Sequence, residues 1–150
     1  MFRHIVGAAV ATIFFGAVAM AADKPTDPQI AHIAYTAGQI DVTAAEQALK
    51  KSGNPEVIEF AKTMERDHKA VNEQALALVK KLGVTPEDNP VSKSLSDGAA
   101  KQLASMDGLE GAAFDKAYVE NEVAYHKAVN GALADLLIPS AQNAELKSLR

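Results

Sequence analysis

Between Val57 and Leu82, the positions Val57, Ala61, Met64, His68, Val71, Ala75, Leu78 and Leu82 recur at alternating intervals of four and three residues. With 3.6 residues per turn, such spacing gathers these side chains on the inward face of an amphipathic helix in a bundle. Seven of the eight are apolar, and the eighth is an imidazole. A buried ring nitrogen without a partner costs free energy, so an inward His68 requires a hydrogen-bond acceptor or a metal ion inside the bundle.

The punctuation around this stripe predicts an all-α chain. Asp27-Pro28 opens a first helix that runs to about Lys51 and stops at Ser52-Gly53; an Asp cap and a proline in the first turn suit a helix start. Asn54-Pro55 opens the second helix at once, and Gly83 closes it after Leu82. A connection of about three residues folds the two into an antiparallel hairpin. Residues 83–98 carry two prolines and two glycines and read as a loop, followed by a short crossover helix over about 97–106. A third long helix is expected from about Gly111 to Ile138, closed by Pro139. Residues 143–150 repeat the style of the second helix start and then stop, so a fourth helix is expected either to be truncated or to pack as a stub.

Residues 1–21 read as a signal peptide. Arg3 and His4 precede an apolar run over Ile5–Met20, and Ala19-Met20-Ala21 offers small residues for cleavage, with Ala17-Val18-Ala19 as a nearby alternative. The run is shorter than the ~20 residues that span a bilayer, so the expected mature domain is 22–150 without a transmembrane segment, exported to the periplasm. Cleavage would remove Arg3 from the 15 Lys+Arg and none of the 19 Asp+Glu, leaving a net charge of about −5. Such a chain has no basic stripe to displace phosphate counterions, which argues against nucleic acid as a partner. With no cysteine, the fold must be held by packing, partners or metal rather than disulfides.

The polar residues among apolar neighbours fall at one height. On the first helix Asp41 shares a face with Ile30, Ile33, Ala37, Ile40 and Ala44, whereas Glu46 points the opposite way with Gln39. The hairpin sets Asp41 opposite Glu65 and within one turn of His68. Glu65 and His68 form Glu-x-x-His, and Glu122 and His126 are i, i+4 neighbours on the third long helix. That helix is expected to turn Val119, Glu122, His126, Val129, Leu133 and Leu136 inward, with Tyr118 and Tyr125 at the edge. Asp41, Glu65, His68, Glu122 and His126 are thus the candidate metal ligands. Two imidazoles with carboxylates suit Fe, Mn or Zn, and oxygen donors favour the first two. The competing readings are a core His68 hydrogen-bonded to Asp41 or a tyrosine, a His126 at the rim, and a Glu65 solvated beside Arg66 and Asp67. No nucleophile triad, phosphate-cradling glycine loop or CxxC is present, so the balance is against an enzyme of those types.

The chain also resembles the bacterial exported family known as domain of unknown function 4142, regarded as ferritin-like. The resemblance covers about residues 27–150. It is carried by Gly38 through Asp41-Val42, Asn54-Pro55-Glu56-Val57 with Phe60-Ala61, Met64 with Asp67-His68, Phe114-Asp115 with Tyr118, and His126. It implies a ferritin-like bundle in the periplasm or at the outer membrane, with no assigned reaction. Asp41, His68 and His126 match recurrent positions. Asn121 stands where close relatives can have another histidine, and relatives continue for about one more helix.

Two functions are therefore expected to compete. One is an envelope protein that binds a metal ion between its helices. The other is an interaction module whose apolar groove takes a partner helix, a second copy or a membrane surface, making a homo-oligomer or an envelope protein the expected partner.

Overall fold

A computed structural model of the protein describes residues 24–148; the expected signal peptide at 1–21 lies outside the described residues. Four helices of 18 residues or more dominate: α1 (Asp27–Lys51), α2 (Pro55–Leu82), α3 (Pro90–Asp107) and α4 (Gly111–Ala132). A π-helical stretch at Leu133–Leu137 continues α4 into the short α5 (Ile138–Ser140), and α6 (Ala144–Ser148) follows. No strand occurs among the described residues. None of their helices is long and apolar enough to cross a membrane.

Local chemistry sets these boundaries. Thr26 rather than Asp27 caps α1, with Gln29 reaching back to the Thr26 N–H. The Asp27 carboxylate is left free to accept from the N–H groups of Gln142 and Asn143, tying the two ends of the described chain together. At the end of α2, Gly83 takes φ 65°, a left-handed cap that a β-carbon would disfavour. Pro139 has no N–H to offer the carbonyl four residues back, and the turns ahead of it widen into the π-helical stretch.

The third helix departs from expectation. It begins at Pro90, seven residues earlier than the composition of 83–98 suggests. The Asn89 side chain accepts from the N–H groups of Val91 and Ser92, while the Ser92 hydroxyl accepts from the Asn89 N–H. This is the Asn-Pro start of α2 over again, and the reciprocal cap outweighs a poorly helical stretch. The expected short crossover helix is therefore an 18-residue helix that packs along α1. The Asn143 start leads to a stub, α6, pinned by buried Leu146.

Contacts between helices give their directions. Gln29 meets Asn89 at one end of α1 and α3, and Lys51 meets Asp107 at the other, so these two run parallel. Ser52 bonds Asp115 and Ala37 bonds Tyr125, so α4 runs against α1. Phe60 faces Tyr118 at 6.0 Å and His68 faces His126 at 5.5 Å between ring centroids. Eight residues separate the members of each helix in the same order, which makes α2 and α4 parallel. The bundle is thus up-down-up-down, with α1 packed against α2, α3 and α4.

The core falls into two apolar clusters. One gathers Ile30, Ile33, Val79, Leu95, Tyr125 and Leu137. The other gathers Ala44, Ala48, Val57, Met106, Phe114 and Tyr118. A polar layer containing Asp41 lies between them.

Candidate metal centre

Helix α1 is covered by three neighbours, so its buried arc is wide enough to include Asp41, which is 4% exposed. From α2, His68 points at it, with Nε2 3.2 Å from Asp41 Oδ2. From α4, His126 meets His68 edge to face. One donor atom each from Asp41, His68 and His126 lies within 4.8 Å of the other two. Bonds of 2.0–2.2 Å to one ion hold two donors at most about 4.4 Å apart, so only a slight inward turn of the rings is needed.

The imidazoles are already oriented. His68 Nδ1 lies 2.9 Å from the Met64 carbonyl, and His126 Nδ1 lies 2.9 Å from the Glu122 carbonyl. A carbonyl can only accept, so both Nδ1 atoms carry hydrogen. That leaves Nε2 on each ring with the free lone pair, the arrangement by which backbone acceptors orient metal-binding histidines.

Glu122 stands behind this triad. It is 2% exposed, and its Oε2 lies 3.9 Å from His126 Nδ1. Burial pushes the Asp41 carboxyl above the ordinary carboxylate range, partly opposed by the neighbouring Glu122 carboxyl. Burial also raises Glu122, the Asp41 charge raises it further, and His126 opposes the shift. Asp41 Oδ1, Glu122 Oε2, Tyr118 Oη and Asn72 Nδ2 are buried without a hydrogen-bond partner. Unsatisfied polar atoms cost about 1–3 kcal/mol each. The two carboxylate oxygens among them, Asp41 Oδ1 and Glu122 Oε2, are acceptors of the kind a cation would satisfy.

Two expectations need correction. Glu65 is not brought into the triad: it pairs with Lys69, which also reaches Glu46. The Glu-x-x-His spacing places Glu65 beside His68 on the helix, but at the α1–α2 seam, where Lys69 one turn on pairs with it and with Glu46. Helix α4 is also rotated from its expected setting. Phe114, Tyr118, Glu122 and Tyr125 are buried, whereas Val119 is 40% exposed. The aromatic rings, with more apolar area to bury, take the inward positions, and His126 reaches the site from the rim. The Tyr125 hydroxyl donates to the Ala37 carbonyl inside the bundle rather than at its edge.

Asn72 is the residue that periodicity alone misses. It is buried, one turn beyond His68, and packs on Gly38, one turn before Asp41. A β-carbon at residue 38 would lie 2.3 Å from Asn72 Oδ1. A glycine inside an alanine-rich helix was the available signal, since such a residue costs helix stability without a packing reason.

Fold and site together define an all-helical bundle protein in which a buried carboxylate meets two part-exposed imidazoles. The chain matches the model of a domain of unknown function, DUF4142, over residues 16–149, and it belongs to that family. No curated protein and no solved structure matches it.

Proposed function

We propose that this is an exported, ferritin-like bundle protein of the bacterial envelope that binds a divalent transition-metal ion through Asp41, His68 and His126. The observation that carries the reading is the convergence of three donors from three helices, with both Nδ1 atoms already committed to carbonyls. Glu122 supports the site as a buried carboxyl next to Asp41. With Glu65 outside, the donor set has two nitrogens and one oxygen, a combination that suits iron(II), with zinc as competitor and manganese less favoured than carboxylate-rich ligation would make it. Such an ion, when bound, supplies Lewis acidity and, if iron, a one-electron centre. Export to the periplasm rests on the Arg3-to-Ala21 segment.

Elemental analysis of the mature protein, purified without chelator, tests the reading. About one equivalent of metal per chain is expected, lost in His68→Ala/His126→Ala. Substoichiometric metal, together with a melting temperature indifferent to added iron, manganese or zinc, would end it.

A second reading, a non-enzymatic interaction module, draws on apolar side chains at the surface. Phe60 and Leu76 on α2, and Val119 and Val123 on α4, are all exposed. A second copy is the occupant this reading proposes. Sedimentation equilibrium showing a monomer at every concentration would count against it.

A further inference from the structure

We infer that a metal ion held by Asp41, His68 and His126 keeps an exchangeable coordination position, reached from solvent between α2 and α4, that takes small anions. This rests on the metal reading above and extends it to a class of ligand.

Three protein donors leave a divalent ion at least one position short of the four to six it uses, and three-donor sites characteristically hold an exchangeable ligand there. Burial is lopsided around the cluster. The side chains of Asp41 and Glu122 are 5% and 2% exposed, whereas those of His68 and His126 are 22% and 35% exposed. The solvent side of the cluster is therefore the imidazole side. Helices α2 and α4 do not pack closely along each other. They meet through ring contacts instead, Phe60 on Tyr118 and His68 on His126.

Glu122 is the one further side chain beside the position, but it is not among the donors that lie within 4.8 Å of one another. Its Oε2 stands 3.9 Å from His126 Nδ1, the nitrogen turned to the α4 backbone.

The class of ligand follows from charge and shape. Two neutral imidazoles and one carboxylate leave a divalent ion with a net charge of about +1, which a monoanion cancels in a partly desolvated site. Exposed Val119 and Val123 on α4 and Phe60 on α2 offer no hydrogen bonds with which to orient a large polar substrate. A compact anion that needs only the metal fits.

The experiment is an azide titration of the cobalt(II)-loaded protein, followed by visible absorption. A saturable change in the cobalt bands is expected. Val123→Trp, on an exposed position three residues before His126, should keep the cobalt spectrum and lose the azide response. A cobalt spectrum indifferent to azide in the unsubstituted protein would overturn the inference while leaving the metal reading intact; an azide response gained only in Glu122→Gln would do the same and identify Glu122 as the occupant. An azide response undiminished in Val123→Trp would overturn the assigned route. Absence of any cobalt spectrum would remove the metal reading, and the inference with it.

Discussion

His68 Nε2 sits 3.2 Å from Asp41 Oδ2 across the α1–α2 hairpin. Since His68 Nδ1 already carries the hydrogen given to the Met64 carbonyl, an unprotonated Nε2 and an ionised carboxylate would face each other lone pair to lone pair. A proton must bridge them, or a cation must.

A metal ion bound in this gap would therefore compete with that proton. Metal affinity is expected to rise with pH across the neutral range, with protons released on binding. Calorimetric titrations in buffers of different ionisation enthalpy measure that release. Binding with no proton release at pH 6 would contradict the competition.

In the metal-free protein, stability should fall as pH rises. Asp41 and Glu122 have folded-state pKa values above their unfolded ones, first because both are buried. Their protonated forms are thus favoured by folding. Stability is fully present below the ordinary carboxylate pKa near 4 and is lost as pH climbs through the raised folded-state values. Thermal melts in chelator between pH 5 and 8 should show a falling melting temperature, and Asp41→Asn/Glu122→Gln should flatten the slope.

Gly38→Ala should destabilise the fold by about 1–3 kcal/mol, the usual cost of overpacking, because the new methyl collides with Asn72 Oδ1. In urea titrations Asn72→Ala should remove most of that penalty in the double variant, since the colliding atom is gone. Additive losses would show that Gly38 is needed for some other reason.

Glu65→Gln should leave metal affinity unchanged, because its carboxylate is committed to Lys69. His126→Ala, by contrast, should weaken binding by at least ~100-fold, more than loss of an outer partner costs. Side-by-side isothermal titrations make the comparison. A large effect at residue 65 would restore it as a ligand.

Intact mass of the protein recovered from the periplasmic fraction should correspond to a chain beginning at Ala22, or at Met20 if the Ala17-Val18-Ala19 site is used. Recovery of only the full-length chain in the cytoplasm would refute export.

Much of this bundle is written locally. The starts of α1 and α2 and the end of α2 follow from Pro28, from Asn54-Pro55 and from Gly83, because caps act within one turn and need no tertiary partner. The depth of the site was equally legible. A three-residue turn fixes the hairpin register, so Asp41 had to come near His68. The Asn89-Pro90 start of α3 was just as local in kind, but the polar composition of 83–98 masked it.

Rotation about each helix axis was not local, and it decided the donor set. On α4 two stripes compete, one through Tyr118 and Tyr125 and one through Val119 and His126, offset by a single residue. The sequence determined an all-helical chain with its acids and imidazoles at a common height. Only the packed structure decided which of them meet: aromatic area sought the core and turned α4, leaving His126 at the rim, while Lys69 took Glu65 as its ion-pair partner. The parallel course of α2 and α4 likewise needed the tertiary contacts, since helix periodicity is the same read in either direction.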